Sequence, residues 1–297
     1  MTTIGIIITT YNSETTIKEC LNSIKKINRR IKKEVIIVDN ASTDNTLTII
    51  NHKKGVNIIK NEKNVGYSKA NNHGAKKAKA EYLLFLNPDT RANKSTVQTM
   101  LEFMERNKDV GAATCKVMLQ NGRLDKACRR SFPTPWNIFC HLTHLDRVFP
   151  HSKILSRYNL TYIPEEKTIE VDSIVGAFFL VRREAFEEVG GWDEDYFLFG
   201  EDIDLCYKLK ERGWKIVYYP KTTIIHQKGS STFMHTKKKL NKDEKERRAE
   251  AIKHFHEAMQ IFYHKHYGKK YSSITKAMVT IGIKSSLAVA LCLNKLR

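Results

Sequence analysis

Tyr82-Leu83-Leu84-Phe85-Leu86-Asn87-Pro88-Asp89-Thr90 decides the fold. Tyr82 to Leu86 is an unbroken apolar and aromatic run, which predicts a strand buried on both faces. It meets a proline, which cannot donate to a sheet ladder, so the chain turns there. The turn leaves the side-chain oxygens of Asn87 and Asp89 at a strand's carboxyl end. In open α/β sheets that is the edge where ligands bind. Oxygen ligands two residues apart suit a hard divalent cation that also holds phosphate. Asn-Pro-Asp is also ordinary turn chemistry, and its neighbours have to choose between the two.

Toward the N-terminus the pattern repeats. Ile4 to Thr10, Glu34 to Val38 and Val56 to Ile59 are β-branched, strand-like runs. Between them Ile17, Cys20, Leu21 and Ile24 recur at helical spacing, a short helix covers Leu47 to Ile50, and a longer one Tyr67 to Ala80. Strands alternating with helices predict βαβ units and a doubly wound, mostly parallel sheet. Each strand ends in polar residues: Thr10-Tyr11-Asn12, Asp39-Asn40, Asn61 with Asn64, and Asn87 with Asp89. Such topology brings them to one edge. A carboxylate ending the second strand, Asp39, is placed to accept hydrogen bonds from a ribose or base, although the same residue also serves as a helix cap. The chain has no G-x-G-x-x-G after its first strand and no G-x-x-x-x-G-K-S/T, which weakens a dinucleotide reading and excludes the usual ATPase loop.

Toward the C-terminus a helix is expected over Lys94 to Asn107 and a strand over Val110 to Met118. Gln120 to Lys167 loses periodicity and predicts loops and short helices over the sheet edge, a place for acceptor specificity. His141 and His144 there read as surface residues rather than ligands. Val171 to Val181 reads as a strand interrupted by Gly176, where a missing side chain lets a ligand approach. A short helix, Glu184 to Val189, is closed by Gly190-Gly191. Trp192-Asp193 then leads through Tyr196-Phe197-Leu198-Phe199-Gly200 to Glu201, Asp202 and Asp204, which open an amphipathic helix. Acids at a helix N-terminus are favoured by its dipole, but three behind an aromatic turn exceed what a cap needs, and one can act as general base. Lys215 to Tyr219 is a further strand, and Ile224-Ile225-His226 brings a histidine that can complete a metal site with Asn87 and Asp89.

The net charge of +19 over 297 residues calls for an anionic partner. From Thr232 to Arg297, 15 Lys and Arg face 5 Asp and Glu, so this tail carries +10 of the +19. It predicts a charged helix from Lys237 to Ile261 and an apolar segment from Ile274 to Leu293, broken by Lys276 and Lys284. Two lysines in a spanning helix cost about 5–7 kcal/mol, a cost avoided by lying in the plane of an anionic leaflet. The six cysteines include no Cys-x-x-Cys pair, which points to a reducing cytosol and away from zinc or disulfides. The apolar N-terminal run has no basic residues before it and reads as a strand, not a signal peptide.

Taken together, Thr9-Thr10-Tyr11-Asn12, Val38-Asp39-Asn40-Ala41-Ser42-Thr43-Asp44, Asn64-Val65-Gly66-Tyr67, Asn87-Pro88-Asp89 and Gly191 to Leu205 resemble a family 2 glycosyltransferase of the GT-A fold, over roughly Thr3 to Ser231. Gly176-Ala177-Phe178-Phe179 and Gly190 to Glu194 are most similar to rhamnosyltransferase-like members. The resemblance implies a catalytic domain over 1–231 and a helical tail over 232–297. It places Thr10, Tyr11, Asn12, Asp39, Asn40, Asn64 and Gly66 on the nucleotide-sugar donor, together with Asn87 and Asp89. Asn87, Asp89 and His226 would hold Mg2+ or Mn2+. The family often has Asp where Asn87 stands. Asp202 would be the base beside Glu201, and Gly176, Trp192 and Asp193 would meet the acceptor. The implied reaction is inverting transfer of a sugar, rhamnose from dTDP-rhamnose as first choice, to a hydroxyl of a glycan or lipid-diphosphate-linked acceptor in cell-surface polysaccharide synthesis. The enzyme would work on the cytoplasmic face of the membrane, with no nucleic acid as partner. A nucleotidyltransferase on a related fold and a non-catalytic nucleic-acid-binding protein are the rival readings.

Overall fold

The computed structural model describes residues 3–25, 31–53, 55–228, 234 and 240–296. The chain runs β1 (Thr3–Thr10), α1 (Ile17–Lys25), β2 (Lys32–Asp39), α2 (Thr46–Asn51), β3 (Asn57–Lys60), α3 (Tyr67–Lys77), β4 (Tyr82–Leu86), β5 (Thr90–Ala92), α4 (Thr96–Arg106) and β6 (Val110–Leu119). It continues through α5 (Pro135–Leu142), α6 (Leu145–Val148), β7 (Ile169–Glu170), β8 (Phe178–Arg182), α7 (Arg183–Glu188), α8 (Glu201–Glu211), β9 (Lys215–His226), α9 (Lys242–Phe262) and α10 (Ser273–Leu296). The strands form one sheet in the order β3-β2-β1-β4-β8-β6-β9-β5, with β7 on the side of β9.

The first half follows the hydrophobic pattern. Ile4, Ile6, Ile7 and Ile8 of β1 are all fully buried, so both faces of the strand are covered. Burial of each such side chain stabilises the fold by about 1.5–3 kcal/mol. β1 pairs parallel with β2 and β4, and β2 with β3, so their carboxyl ends share one edge. The second half is mixed. β8 enters between β4 and β6 antiparallel to both, while β6 and β9 run parallel.

Three elements differ from the sequence expectation. α3 ends at Lys77 rather than Ala80, because Ala78 turns extended and the carbonyls of Ala78 and Ala80 accept the Arg183 guanidinium. The strand expected from Val171 begins only at Phe178: Asp172 and Ser173 donate to the Arg130 carbonyl, and Gly176 donates to Asp202. Conversely, the two runs Lys215 to Tyr219 and Ile224 to His226 are one strand. Its ladder with β6 shifts register between Thr114 and Lys116, opposite Pro220, and a bulge is where a strand tolerates proline.

The tail forms a helical hairpin over the sheet's ligand edge. Asn241 and Glu244 make a reciprocal capping box at the start of α9; Lys237 and the expected boundary at 231/232 lie outside the described residues. α9 and α10 run antiparallel, joined by Asn294 Nδ2 to the Lys245 carbonyl (3.0 Å) and by a His256–Ser286 bond (3.0 Å). Between them Tyr263–Tyr267 forms a π-helical turn. A second apolar cluster, including Tyr196, Tyr207, Phe262, Tyr263 and Tyr267, binds this hairpin to α8.

Candidate functional site

Register assembles the site. Thr10 stands beside Asp39, and Asp39 beside Lys60, at the ends of β1, β2 and β3. β5 pairs antiparallel with β9, Thr90 opposite His226, so the residue before Thr90 meets the end of β9. His226 Nε2 therefore lies 3.2 Å from Asp89 Oδ1. The N-terminus of α8 delivers Glu201 and Asp202 to the same place. A cleft of about 1190 Å³ joins these parts, lined by Tyr11, Asn12, Asn40, Asn64, Gly66, Asn87, Asp89, Gly176, Glu201, Asp202 and His226 among others.

Two residues assigned to the donor lie one layer beneath the lining. Thr10 and Asp39 are buried, with Thr10 Oγ1 donating to Asp39 Oδ1 at 2.9 Å and Ser42 donating to both Asp39 oxygens. Asn40 ties the strand ends together: it donates to Asn64 Oδ1 (2.7 Å) and the Gly66 carbonyl (3.2 Å), and accepts from Asn61 and Val65. Asn12 Oδ1 accepts from Thr43 N (2.8 Å), closing the loops after β1 and β2 on one another.

Asp89 and His226 form the candidate cation site with Asn87. Burial opposes a charge on His226, but hydrogen bonds to Asp125 and Asp89 outweigh it and raise its pKa to about 9. Asp125 Oδ2 lies 3.3 Å from His226 Nδ1, and Lys228 binds the other Asp125 oxygen at 2.8 Å. Asp125 is held far below the usual carboxylate range by His226 and Lys228, against its own burial. Asn87 Oδ1 accepts from the Tyr67 hydroxyl at 3.1 Å. Among the described residues no three His, Cys, Asp or Glu side chains cluster for a metal. The donor set is one carboxylate, one imidazole and one amide oxygen. That set fits a divalent cation whose remaining positions are filled by water and substrate phosphates, with Asp125 orienting the imidazole from behind.

Across the cleft, Asp202 Oδ2 accepts from Arg130 Nη2 (2.9 Å) and Gly176 N (3.2 Å), while Oδ1 accepts from Ile203 N (2.8 Å). Both partners of the Arg130–Asp202 pair are nearly inaccessible. Glu201 is buried beside it. Burial first, and then the Asp202 charge, push the Glu201 carboxyl upward, and its Oε2 has no hydrogen-bond partner among the described residues. Asp204, fully buried, faces the other way, toward Lys208 (3.2 Å) and His266 of the tail (2.7 Å).

Two residues expected at the acceptor are placed elsewhere. Trp192 is 1% exposed and packs edge-on against Phe85 and Phe179, so it is a core residue. Asp193 pairs with Lys265 at 2.5 Å and so anchors the tail. Burial corrects the expected acceptor contact of Trp192, whereas Asp193 is partly exposed and does not line the cleft. Sequence reasoning assigned no role to Arg130, Asp125, Tyr67 or Lys228. Tyr67 had a signal in the Asn64-Val65-Gly66-Tyr67 motif, whereas Arg130 and Asp125 sit in the aperiodic stretch and are placed by tertiary contacts alone.

Residues 5–190, more than half of the chain, match the sequence profile of Glycosyl transferase family 2. The chain belongs to that family. Residues 163–236 of this glycosyltransferase also match a profile described as N-terminal domain of galactosyltransferase. It is 28% identical over 211 residues to the N-acetylglucosaminyl-diphospho-decaprenol L-rhamnosyltransferase of Mycobacterium tuberculosis, covering 67% of each chain. It is 27% identical over 231 residues to the rhamnosyltransferase WbbL of Escherichia coli, covering 74% of this chain and 82% of that one. Among solved structures, Staphylococcus aureus TarS 1-349 in complex with UDP-GlcNAc superposes with a TM-score of 0.55 over 98% of this glycosyltransferase and 80% of TarS, at 20% identity. GalNAc-T7 with UDP, GalNAc and Mn2+ superposes with a TM-score of 0.56 over 76% of this chain and 44% of that one, at 17% identity. Both likenesses establish the GT-A fold.

Proposed function

We propose that this glycosyltransferase moves a sugar, with inversion, from a nucleoside diphosphate donor to a hydroxyl of a lipid-diphosphate-linked acceptor, and that the sugar is rhamnose. The observation that carries the reading is the placement of Asp202 across one cleft from Asn87, Asp89 and His226. The names of the Mycobacterium and Escherichia relatives support rhamnose, and the former supports the lipid-diphosphate acceptor. A divalent cation held by Asp89, Asn87 and His226 would supply positive charge for the departing diphosphate.

The chain's own residues then have distinct tasks. The loops at Tyr11–Asn12, Asn40 and Asn64–Gly66 hold the nucleoside and fix its distance from Asp202. Asp202 Oδ1, engaged among the described residues by Ile203 N, keeps a lone pair for the proton of the attacking hydroxyl. Arg130 and Gly176 hold the other oxygen and so set the angle of the carboxylate. Attack from the face opposite the diphosphate inverts the anomeric carbon in one displacement.

Catalysis is assigned to residues 1–231 and membrane attachment to 232–297, on the cytoplasmic face. α10 is long and apolar enough to cross a membrane. Its polar ties to α9, through Asn294 and Ser286, favour a helix lying along the leaflet instead.

The deciding experiment is thermal stability with UDP, dTDP and GDP, each with and without Mn2+. A ligand at a hundred times its dissociation constant stabilises by about 2.7 kcal/mol, a shift of several degrees for a domain of this size. A metal-dependent shift with dTDP alone supports rhamnose, and a shift with UDP alone moves the donor to a UDP-sugar. No shift from folded protein sinks the assignment of the cleft.

A further inference from the structure

Exposed apolar surface is concentrated on this molecule in a way that the reaction does not require. Among the described residues, sixteen large hydrophobic side chains are exposed; six lie between Trp136 and Ile154 and six on α10. On α10 they are Ile274, Met278, Ile281, Val289, Leu293 and Leu296. At about 100° per residue these fall within one arc of roughly 120°, on the face turned away from the buried Ile283 and Asn294. The other set starts on α5, where Trp136 and Phe139 are about half exposed and stack on each other at 5.8 Å, with Leu142 beyond them. It continues through Val148 and Phe149 to Ile154.

The two patches border the same opening. Trp136, Phe139 and Leu142 line the catalytic cleft, and so do Met278 and Val279 of α10. The accessible charges on both segments themselves are positive, although the exposed Glu250 of α9 also lines the cleft. Arg147, Lys153 and Arg157 accompany the first patch, whose one acid, Asp146, is buried against His141 and Asn159. Lys276, Lys284 and Lys295 accompany the second, and α10 contains no acid. Apolar side chains with a tryptophan, flanked within each segment by accessible cations, match an anionic leaflet: acyl chains below and phosphate headgroups at the rim.

We propose that α5, with the segment following it to Ile154, is a second membrane-inserting element, so that the cleft opens directly into the leaflet between α5 and α10. The acceptor then reaches Asp202 sideways from the bilayer, its acyl chain never crossing water. This rests on the membrane reading of the tail and adds to it the depth and direction of the opening.

The chain's three tryptophans make the test direct. Trp192 is buried and Trp214 lies beside Gly111, leaving Trp136 as the one at the proposed contact. The full-length protein is mixed with vesicles of phosphatidylglycerol and phosphatidylethanolamine, with and without brominated acyl chains. Bromine is expected to quench and lipid to blue-shift the emission of the wild-type protein, and Trp136→Phe is expected to lose both changes while still floating with vesicles. Trp136→Asp combined with Phe139→Asp should weaken flotation by about tenfold or more, because neither side chain is then buried among acyl chains. Wild-type protein that floats without quenching overturns the proposal and leaves the tail's attachment intact. Protein that melts normally with nucleotide but does not float at all removes the membrane reading itself. Self-association that the Asp pair abolishes, without lipid binding, assigns the patch to a second copy of the chain and overturns the proposal.

Discussion

Asp202 and Glu201 are neighbours in the chain with opposite environments. Asp202 has a guanidinium and two backbone N–H groups; Glu201 has burial, a like charge and an oxygen without a partner. Asp202→Asn is expected to abolish transfer while the nucleotide-induced shift in melting temperature stays within a degree or two; wild-type turnover in a radiolabelled-sugar assay would remove the base assignment. Glu201→Gln is expected to stabilise the fold by roughly 1–2 kcal/mol at neutral pH, because a neutral amide can be buried without first taking up a proton. The sign with pH follows from linkage. The folded-state pKa of Glu201 is raised above 4.5, so the folded state binds the extra proton, and stability falls as pH climbs from 4.5 through the raised value. Denaturant melts at pH 5 and pH 8 should therefore show the Gln variant's advantage growing with pH. Gly66 is a different residue-scale device. Its φ is +86°, and a Cβ there would stand 2.8 Å from the Phe197 carbonyl. Gly66→Ala is expected to cost about 1–3 kcal/mol, and an unchanged melting temperature would show that the turn relaxes freely.

At the scale of elements, the turn from Tyr196 to Gly200 governs more than its length suggests. Phe197 accepts from Tyr67 N through its carbonyl and stacks its ring on His254 of α9 at 4.5 Å. Phe199 and Gly200 both take left-handed conformations, and Ala258 of α9 sits over Gly200. The tail thus packs directly on the start of α8. His266→Ala leaves the fully buried Asp204 without its 2.7 Å partner, and a loss of about 2–3 kcal/mol is expected in chemical denaturation; a loss below 0.5 kcal/mol would mean that Lys208 and the Tyr196 hydroxyl suffice. These ties also mark what sequence conveys. The four parallel strands and α8 are legible because Ile, Val and Leu runs specify burial on two faces, and because Pro88 and Gly200 punctuate them. The span around Gly176 reads as strand because Val171 to Val181 is apolar, yet its backbone donors go to Asp202 and Arg130, a competition that no periodicity reports. Trp192 is misread for a related reason: an aromatic beside Gly-Gly fits a binding loop as well as it fits the core between Phe85, Phe179 and Phe186.

Over the whole molecule, charge and apolar surface are segregated. The basic excess predicted for the tail is there, but the tail is not a tether. Lys265 bridges Asp193 and Asp195, Lys270 lies over the Tyr207 and Tyr267 rings, and both draw the hairpin onto the catalytic half. All six cysteines are free thiols, five of them buried. The hairpin's contacts also bear on how such enzymes can be recombined. Most residues that meet α9 and its following turn, among them Asp193, Asp195, Tyr196, Phe197, Phe199, Gly200, Asp204 and Tyr207, lie within one short stretch, with Phe132 joining them from outside it. A chimera that exchanges the C-terminal helices of two relatives at the loop before α9 would separate each hairpin from the stretch shaped to receive it. Recombination that keeps 193–207 and the hairpin from the same parent preserves most of the joint, so a graft intended to relocate this enzyme has to carry the start of α8, with Glu201 and Asp202, along with it.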